Sequence, residues 1–252
     1  MYPILLEIGR FELRTYGVLV VLAFLAALWL SKREARRTGF DPGLVEDFAP
    51  YALVGGLVGA RLYYVSFHPA YFLEHPWETF AVWRGGIGVM GFLLGGALAG
   101  LWYCRRRGIP VLRFADTLAP GIPLAQTLGQ LACLANGDSF GRPSALPWAI
   151  TYTDPRALAP LNVPLHPIEL YEMAAYFSVF LLVWLTRKRS AADGSAFLVY
   201  LAGYGAARFA MEFFRGDPAT FAGSIPAAQV FGALLVLAAL AGFLAQRKRG
   251  AA

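Results

Sequence analysis

The feature that most constrains this chain is a series of separate apolar runs, each near the length that crosses a bilayer. A helix of about 20 apolar residues spans a hydrocarbon core of roughly 30 Å. Candidate spans fall near residues 16–30, 48–66, 86–104, 115–135, 168–186, 196–213 and 225–245. Among the 252 residues 58% are hydrophobic and 15% charged, against roughly 25% charged in soluble domains. That balance excludes a disordered chain, a coiled coil and a disulfide scaffold. The expected fold is all-α: a polytopic membrane bundle of about seven transmembrane helices forming one integral membrane domain over 1–252. The fourth and sixth spans carry Gly, Pro or charge, as cavity-lining segments do. Cys104 and Cys133 suggest neither a disulfide nor a metal site.

Orientation follows from the basic residues. Alternating loops place 14 of the 22 Lys and Arg on one side, including Lys32, Arg33, Arg36, Arg37, Arg105, Arg106, Arg107, Arg187, Lys188, Arg189 and Arg247 to Arg249. Six fall on the other side, Arg10, Arg14, Arg84, Arg142, Arg156 and Arg215, and Arg61 and Arg208 lie inside spans. The positive-inside rule makes the first set cytoplasmic, so the N-terminus is expected outside and the C-terminus in the cytoplasm. The basic run after the first span reads as a stop at a cytoplasmic surface rather than a cleavable signal. The net charge of +6 is then topological, meeting anionic lipid headgroups, with no nucleic-acid partner. Trp83, Trp102, Trp148 and Trp184 fit interfacial belts.

Two features carry chemistry. The extracytoplasmic loop or head near 136–167 is long and rich in polar and conformationally special residues, which points to function. Charges inside spans are costly unless paired or facing water. Arg208 and Glu212, four apart on one helical face, can pair in the bundle interior. Arg61 lies behind small residues that let helices approach closely. Guanidinium is the natural bidentate partner of phosphate, which makes an anionic phospholipid headgroup a reasonable ligand. The spacings of Gly55 with Gly59 and Gly91 with Gly95 read as helix packing.

The order of motifs resembles the bacterial prolipoprotein diacylglyceryl transferase family along almost the whole chain. Arg14-Thr15-Tyr16-Gly17 resembles the family's Tyr-Gly at the outer end of its first helix, followed by Gly59-Ala60-Arg61-Leu62. Trp83 to Gly91 is similar to Trp-x-Gly-Gly-x-x-x-His-Gly. Gly129 to Arg142 resembles the signature Gly-Arg-x-Gly-Asn-Phe-x-Asn-x-Glu-x-x-Gly-Arg. His166-Pro167-Ile168-Glu169-Leu170-Tyr171-Glu172 is similar to His-Pro-x-Gln-Leu-Tyr-Glu, and Gly203 to Arg215 matches most closely of all.

The resemblance implies transfer of the sn-1,2-diacylglyceryl group of phosphatidylglycerol to a lipobox cysteine thiol of a prolipoprotein. Glycerol phosphate leaves and a thioether remains. It implies a bacterial inner membrane location with the site toward the outer side, and partners limited to phosphatidylglycerol, the lipobox segment and membrane lipids. The displacement needs no cofactor or metal. A thiol must ionise to attack, and the leaving phosphate needs positive charge already in place. The expected catalytic set is Arg208, held by Glu212, with Asp138 and Tyr16. Arg61, Gln130, Asn136, Gly141, Arg142, His166 and Tyr204 are expected around the lipid, Gly141 as a backbone turn.

Four positions depart from the family pattern. Gln130 stands for its arginine, Cys133 for its asparagine, Asp138 for its glutamate and Met90 for its histidine. Methionine cannot take a proton, so the base is sought among Glu212, Asp138, Glu169 and His166, whose pKa burial can raise. Alternatives are a paralogue with altered acceptor or lost activity, and a non-enzymatic lipid-binding or transport protein, although no internal repeat supports transport. Gly137 to Gly141 matches Gly-x-Ser-x-Gly but follows a membrane span rather than a strand. Glu169 and Glu172 also read as first-turn carboxylates favoured at a helix N-terminus.

Overall fold

The structure, a computed structural model, describes residues 3–8, 11–82, 85–189, 192–221 and 224–250. Trp83, Arg84 and Arg10 of the expected belt, motif and outer basic set lie outside the described residues. The chain opens with an antiparallel hairpin, β1 (Ile4–Ile8) with β2 (Phe11–Arg14), that runs into α1 (Thr15–Thr38). Then come α2 (Gly43–Phe67), α3 (Pro69–Glu74), a 3-10 turn at Pro76–Phe80, α4 (Val89–Arg107), α5 (Val111–Leu118) and α6 (Gly121–Asn136). Short ladders pair β3 (Ile150–Thr151) with β4 (Pro164–Leu165) and, after α7 (Ile168–Thr186) and α8 (Ser195–Met211), β5 (Thr220–Phe221) with β6 (Ile225–Pro226). The last helix is α9 (Ala227–Gly250).

The chain is mostly helical, and long helices occupy each region expected to span. Among the described residues three of them, α1, α7 and α9, are long and apolar enough to cross a membrane. Val21, Leu25 and Trp29 of α1 and Leu237, Leu240 and Leu244 of α9 point outward, 50–61% exposed. Such large continuous apolar faces suit lipid tails rather than water. The expected span at 115–135 is interrupted. Helix α5 ends at Leu118 and α6 starts at Gly121, because Pro120 between them has no N–H to continue the ladder. The small ladders modify the all-α expectation only at the N-terminal hairpin, in the head and in the link between α8 and α9.

Two compact units are present, residues 32–117 and residues 1–31 with 118–252. In the first, α2 and α4 approach through facing glycines. A Cβ on Gly55 would meet the Gly95 carbonyl oxygen at 3.0 Å, and one on Gly59 would run into that of Gly91. In the second, α6 packs on α7, α7 on α8 and α8 on α9, and the head's own core is Tyr152, Ala159 and Leu165.

Candidate active site

The second unit gathers a buried polar cluster around one carboxylate. Glu172 sits on α7 one turn after Glu169, and both are buried. Glu172 Oε1 accepts from Arg208 Nη1 of α8 at 2.5 Å and from Arg215 Nη1 at 2.9 Å. Its Oε2 accepts from Gln130 Nε2 of α6 at 2.7 Å. Three donors from separate parts of the chain therefore converge on one side chain. The expected Arg208–Glu212 pair is present but longer, 3.4 Å, so Glu212 is the weaker of two carboxylates holding Arg208. Arg208 Nε is buried without a hydrogen-bond partner among the described residues.

Arg215 is set by the backbone of the head. The strand-like segment around Gly141 bridges to Arg215 on one side, and Pro143 bridges to Leu165 on the other. Arg142 N donates to Phe214 O at 2.9 Å, Gly216 N to Phe140 O at 2.9 Å and His166 N to Arg142 O at 3.0 Å. Gly141 is thus a close-approach position rather than the expected turn, since a Cβ there would strike the His166 carbonyl and its Cβ. Arg215 Nη2 donates to Ser139 Oγ at 3.0 Å and Nε to Asp217 Oδ1 at 3.2 Å. Burial lowers the Arg215 pKa, but Glu172 and Asp217 outweigh it and the guanidinium is held more firmly protonated than usual. Ser139, the serine of the Gly-x-Ser-x-Gly run, is buried as an acceptor here, beyond a left-handed Gly137 that caps α6 with φ 64°.

A second group lies beside it. Asp138 accepts from Asn136 Nδ2 at 3.1 Å and from the Cys133 thiol, while its Oδ1 is buried without a partner among the described residues. Burial raises the Asp138 pKa, against the bonds from Asn136 and Cys133 and the charge of Arg215. Tyr16 of α1 is within electrostatic reach of Cys133 and Asp138. Tyr152 Oη donates to Glu169 Oε1 at 2.5 Å, and burial and that carboxylate together push the Tyr152 pKa up. Glu169 is the acidic residue in the first turn of α7, and both carboxylates also have partners across the packing, Tyr152 for Glu169 and Arg208 for Glu172.

The remaining expected residues sit at different places. Tyr204 is buried between the rings of Tyr176 and Tyr200, at 5.5 and 5.7 Å between centroids. His166 Nδ1 is 3.4 Å from Tyr171 Oη, which accepts from Trp148 Nε1 at 2.6 Å. Arg142 is exposed, its Nε donating to Arg215 O at 3.1 Å. In the first unit, Arg61 donates from Nε to Thr79 O at 2.9 Å, from Nη1 to Gly85 O at 2.7 Å and Gly86 O at 2.9 Å, and from Nη2 to Glu78 O. Its guanidinium also lies over the Phe72 ring at 5.2 Å. With most donors spent on backbone carbonyls, Arg61 organises the segment after α3 and has little left for a headgroup. Met90 is buried and its Sδ accepts from Tyr63 Oη at 3.3 Å.

Glu172 and Arg215 are the residues that reasoning from sequence missed. Glu172 stood in a matched motif but read as a helix-start carboxylate, and Arg215 closed the last motif but was counted only as a loop charge.

Comparison with known proteins gives a consistent picture. The family profile described as prolipoprotein diacylglyceryl transferase matches residues 3–245. A Synechococcus elongatus protein named phosphatidylglycerol–prolipoprotein diacylglyceryl transferase is 36% identical over 90% of this chain and 81% of its own length. Proteins of that name from Trichormus variabilis, 36% identical over 98% of this chain and 91% of theirs, and Bordetella avium, 35% over 93% and 89%, are similar to it throughout.

Proposed function

The chain belongs to the prolipoprotein diacylglyceryl transferase family, and from that premise we propose that the Glu172 cluster is the seat of the transfer reaction. The substrates are phosphatidylglycerol and the lipobox cysteine of a prolipoprotein. The thiolate sulfur attacks the sn-3 carbon of the diacylglyceryl group, a thioether bond forms, and the carbon–oxygen bond to phosphate breaks. The electron pair leaves with glycerol phosphate. A free thiol has a pKa of about 8.5, so a base must remove its proton. The departing phosphate gains charge, which preorganised cations stabilise most effectively in a water-poor site.

The observation that carries this reading is the buried Arg208 with its unpartnered Nε beside Arg215. A buried guanidinium N–H left unpaired is costly, and a phosphate oxygen satisfies it. Asp138, with an open carboxyl oxygen and a raised pKa, is the base best placed in character. Glu172 and Glu212 are already engaged, Glu172 by Arg208 and Arg215 and Glu212 by Arg208. Asn136, Tyr16 and Tyr204 supply hydrogen-bonding groups, and Arg142, Gly141 and His166 shape the head above. The fold reads as a multi-pass bundle of about seven crossings in the bacterial inner membrane, the head outside and the C-terminus cytoplasmic. Residues 1–252 act as one integral membrane domain, in keeping with a family match along nearly the whole chain.

The test is incubation of the purified protein in detergent with phosphatidylglycerol and a lipobox peptide, reading the peptide mass. A diacylglyceryl adduct that disappears in Arg208→Ala supports the reading. No adduct from the folded parent overturns it in favour of an altered acceptor or a lipid-binding role.

A further inference from the structure

The convergence on Glu172 has more order than an ion pair needs. One oxygen, Oε1, receives the Nη1 atoms of both Arg208 and Arg215, at 2.5 and 2.9 Å, while Oε2 is tied by the neutral Gln130 amide at 2.7 Å. The carboxylate is buried, so its rotamer is fixed by these bonds and not by solvent. Two like charges brought to one oxygen repel each other unless an anion lies between them. Glu172 supplies that anion. Arg215 reaches it from beyond α8 and Arg208 from within α8, so without the shared oxygen nothing common fixes the two guanidinium planes.

We propose that Glu172 is a positioning residue, whose carboxylate, locked by Gln130, sets Arg208 and Arg215 as one two-guanidinium seat for the phosphate of phosphatidylglycerol. This rests on the transfer reading above for the identity of the lipid, but the seat itself is a binding device with its own readout. Arg208 keeps Nε and an Nη2 that is 3.4 Å from Glu212, with the Tyr176 hydroxyl also beside its guanidinium, and Arg215 has an Nη2 shared between Ser139 at 3.0 Å and Asp217 at 3.5 Å. Those donors are the ones a phosphate competes for, while the Nη1 atoms stay on Glu172. The amide of Gln130 locks the carboxylate without adding a third positive charge. Arg208 and Arg215 are faced by Glu172, Glu212 and Asp217, and an incoming phosphate displaces the outer contacts to Glu212, Ser139 and Asp217 while the Glu172 bonds keep the donors aimed.

The experiment measures KM for phosphatidylglycerol and KM for the lipobox peptide separately in the parent, Glu172→Gln, Glu172→Asp and Gln130→Leu. Losing a charge-assisted hydrogen bond corresponds to roughly tenfold or more in binding. Glu172→Gln is expected to raise the lipid KM by about tenfold and Gln130→Leu by about threefold, with the peptide KM unchanged and Glu172→Asp between parent and Gln. A structural defect alone lowers the active fraction, and thus the maximal rate, without separating the two KM values. An unchanged lipid KM, or equal rises in both, overturns the proposal. Should Glu172→Gln fail to fold, Gln130→Leu carries the same test, since it removes no charge. Should the parent form no adduct, the transfer reading falls separately. The seat is then judged by thermal protection of the protein by phosphatidylglycerol over phosphatidylcholine. Protection lost in Gln130→Leu supports the seat, and equal protection by both lipids overturns it.

Discussion

Tyr152, in the core of the head, donates a 2.5 Å hydrogen bond to Glu169 Oε1 in the first turn of α7, and both side chains are buried. This ties the head to the helix that carries Glu172. The other Glu169 oxygen has no partner among the described residues, so the tyrosine carries much of that carboxyl's satisfaction. Tyr152→Phe keeps the ring against Ala159 and Leu165 and leaves the carboxyl bare. Such a loss costs about 1–3 kcal/mol. A denaturation midpoint in detergent lowered by that amount is expected, and an unchanged midpoint would mean that Glu169 is satisfied by another group.

The helices and the Arg208–Glu212 pair were legible because their signals are local. Apolar run length marks the spans, and the four-residue spacing of Arg208 and Glu212 predicts a pair that is present at 3.4 Å. The stronger partner, Glu172, was not legible. Its role depends on α6 meeting α7 and α7 meeting α8, and no spacing along the chain encodes which faces meet. Arg61 shows the converse. A buried arginine within a span looks like a ligand holder, yet its partners are carbonyls 17 to 25 residues further on.

Asp138 gives a pH prediction with a definite sign. Burial raises its pKa in the folded state. Between the unfolded and native values the native state holds more protons, so stability falls as pH rises through that window. If the ionised form takes the thiol proton, the acid limb of the rate profile lies above the usual Asp value of about 3.9. Asn136→Ala removes a bond that favours the charged form. Its limb is expected at higher pH than the parent's, and a limb that stays in place or moves down would remove Asp138 as the base.

Arg61 separates a framework role from a binding one. Its bonds to the carbonyls of Thr79, Gly85, Gly86 and Glu78 hold the segment between α3 and α4. Arg61→Ala removes the donor that the partly buried carbonyls of Thr79 and Gly86 and the Gly85 carbonyl share, which costs about 1–3 kcal/mol. Low yield and an early thermal transition are expected, with lipid KM in the folded fraction within about twofold of the parent. A large rise in lipid KM at unchanged stability would return Arg61 to the headgroup.

Met90 bears on how this chain activates a thiol without the histidine that the family pattern carries there. A well-placed general base contributes about 10²–10⁴ in rate, so a missing base is visible in a single substitution. Met90 is buried and takes the Tyr63 hydroxyl on its sulfur, and a histidine there keeps a hydrogen-bonding partner, which limits the cost of burying the ring. If Asp138 serves as the base, Met90→His changes the rate of adduct formation by less than about threefold, because the step is already catalysed. A rise of about a hundredfold would show that the parent lacks a base altogether and that its carboxyl cluster serves the lipid alone. The comparison is made on initial rates at saturating phosphatidylglycerol, where a change in lipid affinity cannot imitate a change in proton transfer.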